Sequence, residues 1–353
     1  VKGYRKLLEP GMLKQELAVS PAAHDTVLCG RSAINKILNK EEKRLLVIAG
    51  PCSIHDENAA YEYADKLKKL QEQVSEALFV VMRVYFEKPR TSVGWKGLIN
   101  DPRLDGTCDI MEGLRKARRI LLKINEIGVA AATEFLETIT PQYVADLVSW
   151  ACIGARTTES QTHREMASGL SMAVGFKNGT DGNMSSAINA IVAAKTGQSF
   201  LGIDQDGRTC VVQTNGNPQA HIVLRGGHQP NYDPISIERA RLNLIEKKLP
   251  ESIMVDCSHG NSMKKYQGQA NVMRNVIDQY IAGNDALIGL MLESNLFEGN
   301  QKYNGDLKSL RYGVSITDEC ISWETTERLL LSVAEKLINS SNRDSSDRWV
   351  NAL

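Results

Sequence analysis

No stretch of the 353-residue sequence approaches the roughly 20 uninterrupted apolar residues of a membrane span, and its first residues lack the basic, apolar and small-residue succession of a secretion signal. Cys-x-x-Cys is missing too. The seven cysteines, at 29, 52, 108, 152, 210, 257 and 320, are odd in number and scattered, which argues against a disulfide framework or a structural zinc knuckle and fits a reduced, cytoplasmic setting. Net charge is absent: 42 Lys+Arg meet 42 Asp+Glu, so no global field draws nucleic acid or an anionic membrane, and any basic site has to be local. Neither a Gly-x-Gly-x-x-Gly turn after the first strand nor a phosphate-loop Gly-Lys-Ser/Thr occurs, which disfavours a nicotinamide or nucleotide enzyme.

What is present is a rhythm. Short β-rich apolar runs at 45–50, 78–85, 129–135, 150–155, 172–176, 221–224, 252–257 and 286–293 predict eight strands. Helical patterns at 58–74, 111–127, 183–194, 235–248, 269–282 and 324–338 fall between most of them or after the last. Eight β-then-α units predict a parallel sheet closed into a (β/α)8 TIM barrel, with an open doubly wound sheet as the alternative. Residues 200–214 break the rhythm with two strand-like runs around Asp206-Gly207, a dipeptide suited to a hairpin turn, and read as an inserted β-hairpin. The expected organisation is an N-terminal extension over 1–40, a catalytic barrel over 41–338 carrying the insertion, and a polar, Ser/Asn/Asp-rich C-terminal tail over 339–353 that frays.

Polar residues interrupt these strands mainly at their C-terminal ends, the catalytic face of such a barrel. Along the chain they are Cys52, Arg83 with Lys88, Glu134, Arg156, Lys177, Arg225, His259 and Glu293, one set per strand. Arg83, Lys88, Arg156, Lys177 and Arg225 put five cations around one opening of a chain without net charge. A lone arginine there reads as a solvated surface residue, but five together predict an anionic substrate with phosphate and carboxylate groups. Cys52, His259, Glu293 and Asp318 form a second group whose donors suit Mn²⁺, Fe²⁺, Co²⁺ or Zn²⁺ rather than Ca²⁺ or Mg²⁺. No local spacing links these four, and Cys257, two residues from His259, competes with Cys52 as the thiolate.

The strings GPCSIHD (50–56), MRVYFEKPRTSVGWKGLINDP (82–102), IGARTTESQTHRE (153–165), GFKNGTDG (175–182), VLRGG (223–227), VDCSHGNS (255–262), ESNLFEGNQ (293–301) and YGVSITD (312–318) carry these residues. Together they closely resemble the microbial 3-deoxy-D-arabino-heptulosonate 7-phosphate (DAHP) synthases regulated by an aromatic amino acid, from about residue 20 to 338. The resemblance implies a metal-dependent condensation of phosphoenolpyruvate with erythrose 4-phosphate, the first committed step of aromatic amino-acid synthesis. It places the metal on Cys52, His259, Glu293 and Asp318, resolving the thiolate in favour of Cys52. It places phosphoenolpyruvate on Arg83, Lys88, Glu134, Arg156, Lys177 and Arg225, and erythrose 4-phosphate on Pro89, Arg90, Thr91 and Asp318. Lys88, Cys52 and His259 are the expected catalytic residues, Lys88 either delivering a proton to the new alkoxide or only binding charge.

Two rival readings are a related synthase using arabinose 5-phosphate, disfavoured by the KPRT and GWKGLINDP strings, and a barrel kept as a sensor without catalysis, disfavoured by the intact ligand set. The resemblance further implies a homo-oligomer, a tetramer built as a dimer of dimers, and an aromatic amino-acid effector. Its pocket would include Gln142, Leu170, Ser171, Phe200, Gly202 and Val212. At position 202, where relatives carry serine or glycine, the glycine leaves room for a phenolic hydroxyl, which favours tyrosine over phenylalanine. Equally, Gly202 could serve only to relax a strand near a bend.

Overall fold

The computed structural model describes residues 1–350, the side chains at 341 and 343–350 excepted. Eight strands close into a parallel barrel: β1 (Leu45–Gly50), β2 (Leu78–Arg83), β3 (Ala131–Glu134), β4 (Trp150–Ile153), β5 (Ala173–Lys177), β8 (Ala220–Leu224), β9 (Ile253–Asp256) and β10 (Leu287–Glu293). They neighbour one another in chain order, and β10 pairs β1 in parallel, Leu46 opposite Gly289, to complete the ring. The antiparallel pair β6 (Ser199–Ile203) and β7 (Thr209–Gln213) is the predicted hairpin, standing outside the barrel. Barrel strands are buried on both faces, which is why they read as continuous apolar runs, whereas β6 and β7 alternate between half-buried and exposed positions.

Helices α3 (Glu57–Val74), α4 (Ile110–Glu126), α7 (Ser185–Ala194), α8 (Pro234–Glu246) and α9 (Gln269–Ile281) lie within two residues of their predicted ends. Their starts are chemically marked: the Asp56 and Asp233 carboxylates accept the first free N–H groups of α3 and α8, and Pro234 supplies a pre-set first turn. Two short helices, α5 (Thr140–Val144) and α6 (Gln161–Ser168), complete the third and fourth crossovers without enough length to show a period. The last helix, α10 (Trp323–Val350), runs past the expected helix end at 338 and through 339–350, where no Gly or Pro interrupts it, while 351–353 lie outside the described residues.

The N-terminal extension carries α1 (Pro10–Glu16) and α2 (Pro21–Leu38). Ser20 caps α2 and Pro21 starts it. Ile34, Ile37 and Leu38 enter the inner core with Leu46, Ile48, Trp150, Met254 and Ile288, so α2 stoppers the N-terminal end of the barrel. Deeper in that core the Trp150 Nε1–H donates to His221 Nε2 at 3.2 Å, and burial pushes His221 down to about 4, keeping its ring a neutral acceptor. The outer core, between strands and helices, is separate and larger. With the bottom filled, the open end of the barrel is the C-terminal one.

The β1–β10 closure tolerates no side chain at 289, where a Cβ would stand 2.4 Å from the Leu46 carbonyl oxygen. Gly289→Ala is expected to lose about 1–3 kcal/mol, the usual cost of overpacking, read as a lower urea midpoint. An unchanged midpoint would contradict this closure geometry.

Candidate active site

Three loops at the open end are drawn together backbone to backbone. Gly226 adopts φ 71°, and a Cβ on Gly227 would come within 2.2 Å of the Gly182 nitrogen, so only glycines let the segments after β5, β8 and β9 touch. Three buried asparagines knit the contact. Asn178 Oδ1 accepts from the Arg225 N–H at 2.8 Å, Asn231 Oδ1 from Gly226 N–H at 2.7 Å, and Asn261 Oδ1 from Asn231 N–H at 2.8 Å. The result is that Lys177, Arg225 and His259 line one cleft of about 270 Å³ with Arg83, Lys88, Pro89, Arg90, Glu134, Arg156, Glu293 and Asp318. Cys52 lies buried beneath the cleft, and Thr91 joins at the rim, accepting from Arg156 Nη2 at 3.3 Å.

The cations form two tiers. Arg83, Lys88, Lys177 and Arg225 are buried, whereas Arg90 and Arg156 are exposed. Arg83 is held against Glu293 at 2.9 Å, donates to the Pro51 and Cys52 carbonyls, and stacks 3.5 Å from the Tyr85 ring centroid. Lys88 Nζ stands 3.2 Å from Cys52 Sγ; burial alone would lower its pKa, but Cys52 and Glu293 outweigh that and raise it, so the amine stays charged. Arg225 is different. Like Lys88 it makes no ion pair among the described residues, but here burial prevails and holds its pKa below the ordinary value. That is a buried cation prepared for an incoming anion.

Of the four expected metal ligands, Cys52, Glu293 and Asp318 bring donor atoms within 4.8 Å of one another. His259 Nε2 approaches Glu293 Oε1 at 3.7 Å, which places it beside that trio rather than inside it. Burial pushes the Cys52 thiol up to about 11, so a neighbouring cation is needed to hold it as thiolate. One thiol and two carboxylates with an imidazole beside them, reaching from the buried Cys52 and Glu293 to the exposed Asp318, fit a borderline divalent ion.

Two residues escaped the sequence reading. Asp256, the last residue of β9, is fully buried and places Oδ2 3.0 Å from Lys177 Nζ and 2.9 Å from His259 Nδ1. These partners outweigh the burial that would raise its pKa and drive it well below the carboxylate range. The rule that found its neighbours, a polar residue ending an apolar strand, would have found it, but Cys257 and His259 drew the attention. Glu87 is buried beside Lys88 and accepts from the Leu136 and Glu137 N–H groups and the Thr140 hydroxyl. Burial pushes it up to about 8, and nothing in its sequence context signals that.

None of the expected effector residues lines the cleft. Phe200, Gly202 and Val212 share the half-buried face of the hairpin; Leu170 and Ser171 follow α6, and Gln142 on α5 accepts from Gln205 Nε2 at the hairpin turn at 2.7 Å. Ser171 accepts from Arg31 Nη1 of α2 at 3.0 Å. A Cβ on Gly202 would stand 2.7 Å from Val212 Cγ2.

Comparison with known proteins fits this geometry. Residues 18–331 match the model of the DAHP synthetase I family. The chain is 51% identical over 331 residues to the Tyr-sensitive phospho-2-dehydro-3-deoxyheptonate aldolase of Escherichia coli K12, covering 94% of this chain and 93% of that one. It is 51% identical to the Phe-sensitive enzyme of the same strain, covering 95% of each chain, and 52% identical to the Trp-sensitive one, covering 93% and 94%. A solved structure of phospho-2-dehydro-3-deoxyheptonate aldolase from Francisella tularensis SCHU S4 superposes with TM-score 0.93 at 42% identity, covering 96% of this chain and 98% of that one.

Glu87 generates a pH prediction. A carboxyl whose folded pKa lies above its unfolded one stabilises the fold at acid pH and loses that contribution as pH rises from about 4.5 towards about 8. Over that window wild type should lose up to about 1.4 kcal/mol per pH unit more than Glu87→Gln in urea unfolding. Parallel stability profiles for the two proteins would mean that Glu87 is not protonated in the folded state at neutral pH.

Proposed function

We infer the reaction from family and geometry together: the chain belongs to the DAHP synthetase I family and is a DAHP synthase, a transferase of aromatic amino-acid biosynthesis. In our reading the cleft at the open end of the barrel joins phosphoenolpyruvate, erythrose 4-phosphate and water into DAHP and phosphate. The observation that carries this is the two-tier cation set, because two phosphorylated substrates must be held side by side against their mutual repulsion.

Arg83, Lys88, Arg156, Lys177 and Arg225 hold phosphoenolpyruvate, with Glu134 near its phosphate and the reacting water. Pro89, Arg90, Thr91 and Asp318 receive erythrose 4-phosphate. A Mn²⁺, Fe²⁺, Co²⁺ or Zn²⁺ ion on Cys52, His259, Glu293 and Asp318 would supply Lewis acidity towards the aldehyde oxygen. C3 of the enol phosphate forms the new bond to the aldehyde carbon, water adds at C2, and phosphate leaves as the C2 carbonyl forms. Lys88 is placed to donate a proton to the alkoxide oxygen; the charge that Cys52 and Glu293 maintain on it serves charge binding equally and makes it a weaker acid.

Product formation from phosphoenolpyruvate should occur with erythrose 4-phosphate and not with arabinose 5-phosphate, disappear in chelator, and return when Mn²⁺ or Co²⁺ is added. Comparable kcat/KM with the five-carbon sugar would sink the substrate assignment. Full activity after exhaustive chelation would sink the metal.

The hairpin face with Phe200, Gly202 and Val212, together with Leu170, Ser171 and Gln142, is our candidate effector site, inhibiting by favouring a less active conformation. Relatives named for tyrosine, phenylalanine and tryptophan are almost equally identical, so identity does not choose among them. Gly202 is what favours tyrosine in our reading, although Val212 Cγ2 takes up part of the space that its missing side chain leaves. We extend the reading to a cytoplasmic homotetramer, a dimer of dimers, supported by the free cysteines and by exposed Leu201 and Val211 on the outer face of the hairpin. Tyrosine should inhibit wild type at the lowest concentration of the three amino acids, and Gly202→Ser, which also has to displace Val212, should shift preference towards phenylalanine. Stronger inhibition of wild type by phenylalanine would overturn the choice.

A further inference from the structure

We propose that Asp256 is a positioning residue shared by the two halves of the site, tying Lys177 of the phosphoenolpyruvate cradle to His259 of the metal set so that the two ligands bind cooperatively through it. The inference rests on reading Cys52, His259, Glu293 and Asp318 as a metal site.

Hydrogen-bond accounting fixes the local roles. Ser258 donates its N–H and its hydroxyl to Asp256 Oδ1, at 3.0 and 2.7 Å. With its proton committed there, the hydroxyl oxygen faces His259 Nδ1 at 2.7 Å as an acceptor, and Asp256 Oδ2 faces the same nitrogen at 2.9 Å. Nδ1 is therefore the protonated nitrogen, and the lone pair of Nε2 is left on the side of Glu293. The backbone at His259, held at φ 56° in the left-handed region, shows that the ring's placement is maintained against a local cost.

The same Oδ2 also stands at ion-pair distance, 3.0 Å, from Lys177 Nζ, and Lys177 ends β5, which is separated from β9 by β8 alone. One carboxylate oxygen thus divides its attraction between an amine that faces the substrate and an imidazole that faces the metal. When a phosphate draws on Lys177, more of the Asp256 charge acts on the His259 imidazole, whose Nδ1–H is directed to Ser258 Oγ, and Nε2 becomes a stronger donor. Binding of phosphoenolpyruvate then tightens the metal, and by linkage the metal tightens phosphoenolpyruvate by the same factor. Glu293 also bridges the two sets, from Arg83 to His259, but it is itself an expected metal ligand; among the described residues no other buried carboxylate pairs with both Lys177 and His259.

The test is titration of metal-free protein with Co²⁺, followed by its visible absorption, with and without phosphoenolpyruvate, in wild type, Asp256→Asn and Ser258→Ala. Wild type should bind Co²⁺ on the order of fivefold or more tightly with phosphoenolpyruvate present. Asp256→Asn should bind it about tenfold or more weakly in isolation and show a ratio near one. A purely structural role would weaken both affinities and leave their ratio intact, and an intact ratio overturns the proposal. Should Asp256→Asn not fold, Ser258→Ala frees Oδ1 and should lower the ratio part of the way; no change there also overturns it. Failure of wild type to bind Co²⁺ at all would instead remove the metal reading beneath it, and with it this inference.

Discussion

Four cations are folded into the end of a barrel, and that end can exist only because anions are interleaved with them. Arg83 meets Glu293 and Lys177 meets Asp256, each pair drawn from different strands, while Lys88 rests on the Cys52 thiol. Removing one partner from such a set leaves a buried charge uncompensated, a loss of about 3–5 kcal/mol. The pairing is incomplete by two: neither Lys88 nor Arg225 has a carboxylate at ion-pair distance among the described residues. Substrate charge and fold stability are thus drawn from one electrostatic arrangement, in which the protein compensates some of its own cations and leaves the remainder for the ligand.

Much of this was legible in the sequence because barrel strands and catalytic residues leave one-dimensional marks. β1 is predicted to the residue, since Leu45–Gly50 is apolar throughout and ends at a glycine before Pro51. The cation set was visible because each member follows an apolar run. Asp256 was hidden by its position inside a string with two more conspicuous ligand types, although it obeys the same rule. Glu87 could not have been found, because its raised pKa comes from burial and from three donors supplied around α5, some 50 residues away in sequence. The short helices α5 and α6 were missed for want of a full period, and α10 outran its expected end because Ser and Asn weaken a helix without stopping it.

The regulatory reading and the catalytic one occupy different parts of the same scaffold, but the connection between them is short. Gln205 at the hairpin turn receives the Gly11 N–H of α1 through its carbonyl and donates to Gln142 of α5. Thr140, at the start of α5, reaches Glu87, which adjoins Lys88. Contiguity of this kind supplies a physical route without proving that it carries coupling. The same α1–hairpin contact, with Lys14 Nζ on Gln205 Oε1 at 3.0 Å, makes the N-terminal extension part of the hairpin's support as well as the stopper of the barrel.

The glycine contacts at 182, 226, 227 and 260 limit how this mouth could be remodelled. Every one of them faces backbone closer than a Cβ allows except Gly182, whose φ of 99° disfavours a side chain for a different reason. An engineer seeking a new substrate would find these loops closed to diversification, since any library there tests loop packing before it tests recognition. The longer connections after β2 and β10, where Val93, Phe297 and Leu307 already lie exposed, are where new side chains could be sampled at little structural risk.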